Sequence, residues 1–388
     1  MTRRRVPAII IVAVLLVSLV VSGCGSTNTT ATSAGGQQAS GGGKIRIGVA
    51  GPFTGPIAET GATVKKAVEL AADQINQAGG INGKQVELVE EDDQADPKAA
   101  ASIANKFVSD PTILGALADY TSSCTLAAAP IYNRAGLSQI SYGSTSPAVT
   151  AAGPYTFRDI TSDAYDGAFV AKWTVDEGYK NIAILYENDD YGLGLANVYN
   201  KKVTSLGAKV VLQEPYDLGA TKDFSTILTK LKAANPDVIF IAGQYNEAAM
   251  IIKQGKRLGI NLPVFGSNGL YSDALIKLGG QDVEGLRVIG AFIGSTNDPV
   301  AKAFIAAYKQ KWGSEPDIWA AFAYDAANIM FDAVKNGGED RKKINDYLTN
   351  LKGFKGVTGT TTFDQNGDCL KDPLKLIVKD GKFQLYTK

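Results

Sequence analysis

The chain has 388 residues, 45% hydrophobic and 20% charged, with 39 Lys and Arg against 39 Asp and Glu, three Cys and no His. That length and apolar content supply about two domain cores, so neither a disordered chain nor a small disulfide-stapled scaffold fits. Without His there is no Ser-His-Asp or Cys-His nucleophile system, no His metal site and no imidazole acid or base. The balanced charge argues against a nucleic-acid surface.

Arg3, Arg4 and Arg5 precede an apolar run from Ala8 to Val21 that ends in Ser22-Gly23-Cys24. A charged start, a short apolar core and small residues at a cut site describe a secretory signal peptide over 1–23, and the run is short for a membrane span. Cys24 directly after Ser-Gly resembles a bacterial lipobox, which implies lipidation of Cys24. Residues 24–43 contain no charge and no bulky apolar side chain, a composition that reads as a flexible tether. The expected location is extracytoplasmic, with the membrane reached through the lipid anchor only.

From Lys44 the pattern alternates. Lys44–Ala50 reads as a strand. Thr60–Ala78 reads as a helix, with Val64, Val68, Ala71 and Ile75 on one face and Gly79-Gly80 as its stop. Gln85–Glu91, Ile113–Ala118 and Leu137–Ser141 read as strands, with helices over Asp96–Asp110 and Cys124–Arg134 between them. The cycle resumes with helix Ala164–Glu177, strand Asn181–Tyr186, helix Tyr191–Leu206 and strand Lys209–Glu214. Helix Phe224–Ala234, strand Asp237–Ala242, helix Glu247–Leu258 and strand Pro263–Phe265 follow, then helix Ser272–Leu278 and strand Gly285–Gly290. Three late helices (Val300–Trp312, Asp317–Asn336, Arg341–Leu351), a strand at Thr358–Phe363 and a hairpin over Leu374–Tyr386 complete the chain. Short apolar strands between helices predict α/β units with parallel sheets covered on both faces. Two such series predict two lobes sharing crossovers.

The nucleotide motifs fail, because Ala78 and Gln85 stand where a P-loop needs Gly and Ser or Thr. Asp364–Asp368 lacks the Gly and the distal Glu of a calcium loop and reads as a polar turn. Asp92-Asp93 and Asp189-Asp190 read as turn or surface acids. Cys124 and Cys369 are either a disulfide or two buried thiols. No cofactor, no metal and no catalytic set is expected. More telling are the Ser, Thr and Gly clusters after first-series strands, at Gly51–Gly55, Thr121-Ser122-Ser123 and Gly143-Ser144-Thr145-Ser146. Ligands of open parallel sheets bind beyond the carboxyl ends of the strands, and hydroxyls at helix N-termini suit a carboxylate.

Ile47–Pro56, Ala78–Gly83, Asp92-Asp93 with Asp96-Pro97, and Ile140–Pro147 together resemble the branched-chain amino acid binding proteins of ABC importers. The resemblance covers Lys44 to Lys388 and implies a type I periplasmic binding protein fold, with two Rossmann-like lobes and three hinge crossovers. It implies lobe 1 over 44–162 plus 291–362 and lobe 2 over 163–290 plus 363–388. It further implies a monomer that encloses a small solute, an amino acid or related carboxylate, and passes it to an ABC permease. A sensory module serving a separate membrane receptor is the alternative. By position, Ser122 resembles the serine that takes the ligand carboxylate, and Ser144 and Thr145 the loop for carboxylate and ammonium. Asp163 resembles an ammonium-binding acid, and Tyr191 and Tyr245 the aromatics that cover the ligand; Tyr120 and Phe53 lie beside these motifs. The sequence departs from the pattern at Asn268, where the family has an acid for the ammonium, and at Thr60, where one branch has Trp. Asn cannot neutralise a buried cation, so either Asp163 supplies the charge or the ligand lacks an ammonium, as an aromatic carboxylate or an amide does.

Overall fold

The computed structural model describes residues 43–294 and 296–387. The signal-peptide reading, Cys24 and the tether up to residue 42 lie outside the described residues. The first series comprises β1 (Ile45–Gly51), α1 (Ala58–Gln77), β2 (Val86–Asp92), α2 (Pro97–Ser109), β3 (Ile113–Leu117), α3 (Ser122–Ala135), β4 (Gln139–Ser141) and β5 (Thr156–Arg158). Its strands form a parallel sheet in the order β2-β1-β3-β4-β5. The second series runs through α4 (Asp163–Asp176), β6 (Asn181–Glu187), α5 (Asp190–Ser205), β7 (Lys209–Tyr216) and α6 (Ser225–Ala234). It continues with β8 (Val238–Ala242), α7 (Tyr245–Arg257), β9 (Val264–Gly266), α8 (Asp273–Gly279) and β10 (Arg287–Gly290).

The chain then returns to the first sheet with α9 (Pro299–Trp312), α10 (Ile318–Gly337), α11 (Arg341–Thr349), β11 (Phe354–Gly356) and β12 (Gly359–Thr361). α10 packs on α1 and β3. The hairpin β13 (Leu374–Lys379) and β14 (Lys382–Leu385) joins the second sheet, whose order is β14-β13-β10-β9-β8-β6-β7, with β13 antiparallel to β10. The chain therefore passes between the sheets three times: after β5, after β10 and between β12 and β13.

The elements follow from local chemistry. β3 and β8 are buried along their whole length, as strands covered by helices on both faces must be. Asp96 caps α2 through the N–H groups of Lys98 and Ala99 and is followed by Pro97, and Asp298-Pro299 opens α9 the same way. Gly136 and Gly313 end α3 and α9 in the left-handed conformation. β2, at the edge of the first sheet, presents acids that pair with Lys44, Arg46, Lys65 and Lys106, which discourages another strand from adding there.

Two expectations are corrected. The strand expected over Thr358–Phe363 is the shorter β12, and it pairs with β11, which was not expected, in a small hairpin that turns at Gly359 with φ of 101°. β5 was not expected, since three residues carry too little alternation to register.

At the first and third crossings the segments bind each other. Buried Lys371 Nζ lies 2.9 Å from Asp159 and donates to Thr358 and Thr361 at 2.8 and 2.6 Å. Arg158, wholly buried, donates to Asp368 at 2.6 Å. Asp364 accepts from the N–H groups of Asn366 and Asp368, the polar turn expected there. Cys124 and Cys369 are both buried free thiols.

Candidate functional site

The carboxyl ends of β3 and β4 in the first lobe face those of β6, β8 and β9 in the second. Between them lies a small enclosed cavity lined by Tyr120, Thr121, Ser122, Gly143 and Trp319 from one side. Asp189, Tyr191, Gln244, Asn268 and Gly269 line it from the other. It encloses about 10 Å³, room for roughly one water, so the aromatic side chains or the lobes must move to admit a larger solute.

On the first-lobe wall Thr121 caps α3, accepting from Cys124 N–H at 3.4 Å. Ser122 is buried in the first turn, and its Oγ accepts from Ser146 N–H at 3.1 Å. Ser122 lines the cavity at the positive end of this 14-residue helix, and its hydroxyl still has a proton to donate. The Tyr120 hydroxyl crosses the cleft to Gln244 Oε1 at 3.0 Å, and its ring packs edge-on against Trp319 at 4.8 Å. Gly143 is required here, because a Cβ would sit 2.7 Å from the Tyr120 carbonyl oxygen.

The next loop stands behind this wall. The Ser144 hydroxyl bonds Thr125 Oγ1 at 2.7 Å, and Ser144 N–H donates to Ser141 Oγ at 2.9 Å. Thr145 donates to Asp163 Oδ2 at 2.7 Å. Asp163 begins α4, is fully buried, and its Oδ1 finds no partner. Burial pushes its pKa up to about 7 despite the Thr145 hydroxyl and the Arg158 charge. Tyr245 is buried beside Thr60, and burial raises its hydroxyl to about 12. Phe53 is half-buried against the large apolar core, with the Lys65 ammonium 5.7 Å from its ring centre. Ser144, Thr145, Asp163, Tyr245 and Phe53 are not among the residues that line the enclosed cavity.

The second-lobe wall is acidic. Asp189 caps α5, accepting from Gly192 N–H at 2.7 Å, while half-buried at the cavity. Burial pushes its pKa up to about 6. Glu187, at the end of β6, is driven well above the carboxylate range by burial and by Asp189, with which it shares a hydrogen bond. The Tyr191 hydroxyl and Trp319 Nε1, both on buried side chains lining the cavity, have no partner. The Asn268 side-chain oxygen accepts from the Ser267 hydroxyl at 3.5 Å, and its backbone carbonyl accepts from Tyr271 N–H at 2.8 Å. Gly269 lets the wall close, since a Cβ there would lie 2.5 Å from both the Tyr191 hydroxyl and the Gly243 carbonyl.

Polar contacts also tie the lobes around the cavity. Ser123 Oγ donates to Asp190 at 2.8 Å, Lys277 pairs with Glu59 at 3.0 Å, and Asn246 donates to the Pro56 carbonyl.

Of the residues expected at the site, Ser122, Tyr120, Tyr191 and Asn268 converge on one cavity. Thr121 and Gly143 belong to the hydroxyl and glycine clusters singled out in the sequence, whereas sequence reasoning missed Trp319 and Gln244 and placed Asp189 in a turn or at the surface. Trp319 sits in a uniformly apolar helix start, so nothing in the pattern marked it. Asp189 and Asp93 are turn and cap acids as expected, Asp93 accepting from Ala95 N–H at 2.8 Å, but neither is a surface group. Asp189 does cap a helix, but it also faces the cavity. Asp93 is fully buried and hydrogen-bonded to Asp119, whose Oδ1 accepts from Tyr120 N–H at 2.6 Å and so holds the turn before Ser122.

Residues 44–376 match the family model described as periplasmic binding protein. A curated Leu/Ile/Val-binding protein homolog of Brucella abortus is 33% identical over 329 residues, covering 84% of this chain and 87% of that one. Among solved structures, a leucine-binding protein of Thermotoga maritima aligns with a TM-score of 0.83 at 30% identity, over 88% of this chain and 98% of that one. The branched-chain amino acid transporter substrate-binding protein LivJ of Streptococcus pneumoniae, solved with isoleucine, aligns at 0.81 and 30% over the same shares.

Proposed function

The chain belongs to the periplasmic binding protein family as a solute-binding protein and not an enzyme, and from that premise we propose that it captures an α-amino acid between its lobes for an ABC importer. The observation that carries this reading is the cavity lined from both lobes, with the Ser122 hydroxyl and the N-terminus of α3 on one wall. A carboxylate set there gains a charge-assisted hydrogen bond and the helix dipole. The names of the relatives support a branched-chain amino acid as the solute.

Lobe 1 comprises 44–162 plus 291–362 and lobe 2 comprises 163–290 plus 363–388. Residues 1–23 act as a signal peptide, Cys24 takes the lipid, and residues 24–43 tether the body outside the membrane. Among the described residues no helix is long and apolar enough to cross a membrane. Ser144, Thr145 and Asp163 complete the polar end of the site once the lobes part, with Tyr245 and Phe53 at its margins.

Thermal unfolding tests this on protein stripped of carried-over solute by unfolding and refolding. A solute at 100 times its dissociation constant adds about 2.7 kcal/mol, and the expected result is a shift with leucine, isoleucine or valine. Ser122→Ala should weaken that binding at least about tenfold, the loss of one charge-assisted hydrogen bond. Unchanged affinity by calorimetry refutes the Ser122 assignment, and no shift with any α-amino acid refutes the solute class.

A further inference from the structure

Position 268 carries Asn where an ammonium calls for an acid, yet the wall on which Asn268 stands is not neutral. Asp189 lines the same cavity from the cap of α5. No Lys or Arg stands among the cavity's lining residues. Donors stand on both walls, the Tyr191 hydroxyl among them on the second-lobe side, but the carboxylate among the lining residues belongs to one lobe. The first-lobe side presents donors, namely the hydroxyls of Thr121 and Ser122 and the unpartnered Trp319 N–H. The carboxylate is on the second-lobe side. A solute with both an anionic and a cationic end satisfies both walls when it spans the cleft. A purely anionic one faces Asp189 with no compensating cation, and an uncompensated buried charge is costly.

We propose that Asp189 is the specificity-determining acid of this site, receiving the solute's cationic group in place of position 268. The inference rests on the amino-acid reading above and deepens it. Glu187 supports the assignment from behind. It stands directly behind Asp189 at the end of β6, where burial and the neighbouring Asp189 carboxylate hold its pKa well above the usual carboxylate range, and Asp189 is the carboxyl of the two that lines the cavity. Contact with Asp189 also engages the lobe opposite the carboxylate site, so a dipolar solute favours the closed arrangement more than either half of it does.

The test measures L-leucine and its desamino analogue 4-methylpentanoate by calorimetry against the wild type and Asp189→Asn. Asn remains a good helix cap, and a melting temperature without solute no lower than that of the wild type confirms that the fold is retained. The expected result is a roughly ten- to hundredfold loss of leucine affinity in Asp189→Asn, with 4-methylpentanoate bound as well as before or better. Adding Asn268→Asp to Asp189→Asn should recover part of the loss by returning a carboxylate to the same wall. Wild-type affinity for leucine in Asp189→Asn overturns the inference and leaves the amino-acid reading standing. A loss in Asp163→Asn without one in Asp189→Asn overturns it in favour of Asp163. A wild type that binds 4-methylpentanoate as well as leucine, or binds neither, overturns both.

Discussion

Asp163 shows how a single residue couples binding to stability. The unfolded chain releases its proton near the ordinary value of 3.8, whereas the folded, closed protein keeps it until about pH 7. Between these values the folded state binds the extra proton, so this group makes the protein less stable as pH rises from about 4 to 7, and constantly so above. Asp163→Asn removes that penalty and still accepts from Thr145. The solute-free variant should therefore gain more in melting temperature over wild type at pH 8 than at pH 5. An equal gain at both pH values contradicts the assignment. The neighbouring glycines act by size alone, because Gly143 and Gly269 leave room for the Tyr120 carbonyl and the Tyr191 hydroxyl.

Among the elements, the crossings carry the most concentrated polar network. Lys371 and Asp159 are both buried, and they come from two different passages between the lobes. Asp325 joins them from α10, accepting from Thr358 N–H at 2.8 Å and Val357 N–H at 2.7 Å. Removing one member of a buried pair leaves an uncompensated charge, at a cost of about 3–5 kcal/mol. Lys371→Met should lose about that much by denaturant unfolding, and the double variant Asp159→Asn with Lys371→Met should lose less. A single variant as stable as wild type means the pair is not buried as described. Exposed pairs such as Lys277 with Glu59, 71% and 54% exposed, contribute little, about 0–1 kcal/mol.

At the scale of the whole molecule, the proposed function requires an equilibrium between closed and open lobes. The closed arrangement is held by a few polar bridges, Ser123 to Asp190 and Tyr120 to Gln244 among them. A solute shifts the balance only by binding the closed form better than the open one. Small-angle scattering should show a smaller radius of gyration on adding leucine to stripped protein, and the change should shrink in Ser122→Ala at the same leucine concentration. Identical curves with and without leucine, at a concentration where calorimetry shows saturation, contradict closure on the solute.

The sequence by itself determined the alternating α/β architecture and two series of strands, because apolar period and turn chemistry are local properties of the chain. It also marked Ser122, Tyr120, Tyr191 and Asn268, through hydroxyl clusters beyond strand ends and a motif resemblance. Only the tertiary structure decided which of these share a cavity, since Tyr120 follows a strand of the first sheet, Tyr191 opens the helix after a strand of the second, and the two meet only across the cleft. Asp189 and Trp319 depended wholly on that step. One reads locally as a helix cap and the other as helix core, and each is that as well. Their second role exists because the fold turns the strand ends of the two sheets toward each other, and no window of sequence contains both walls.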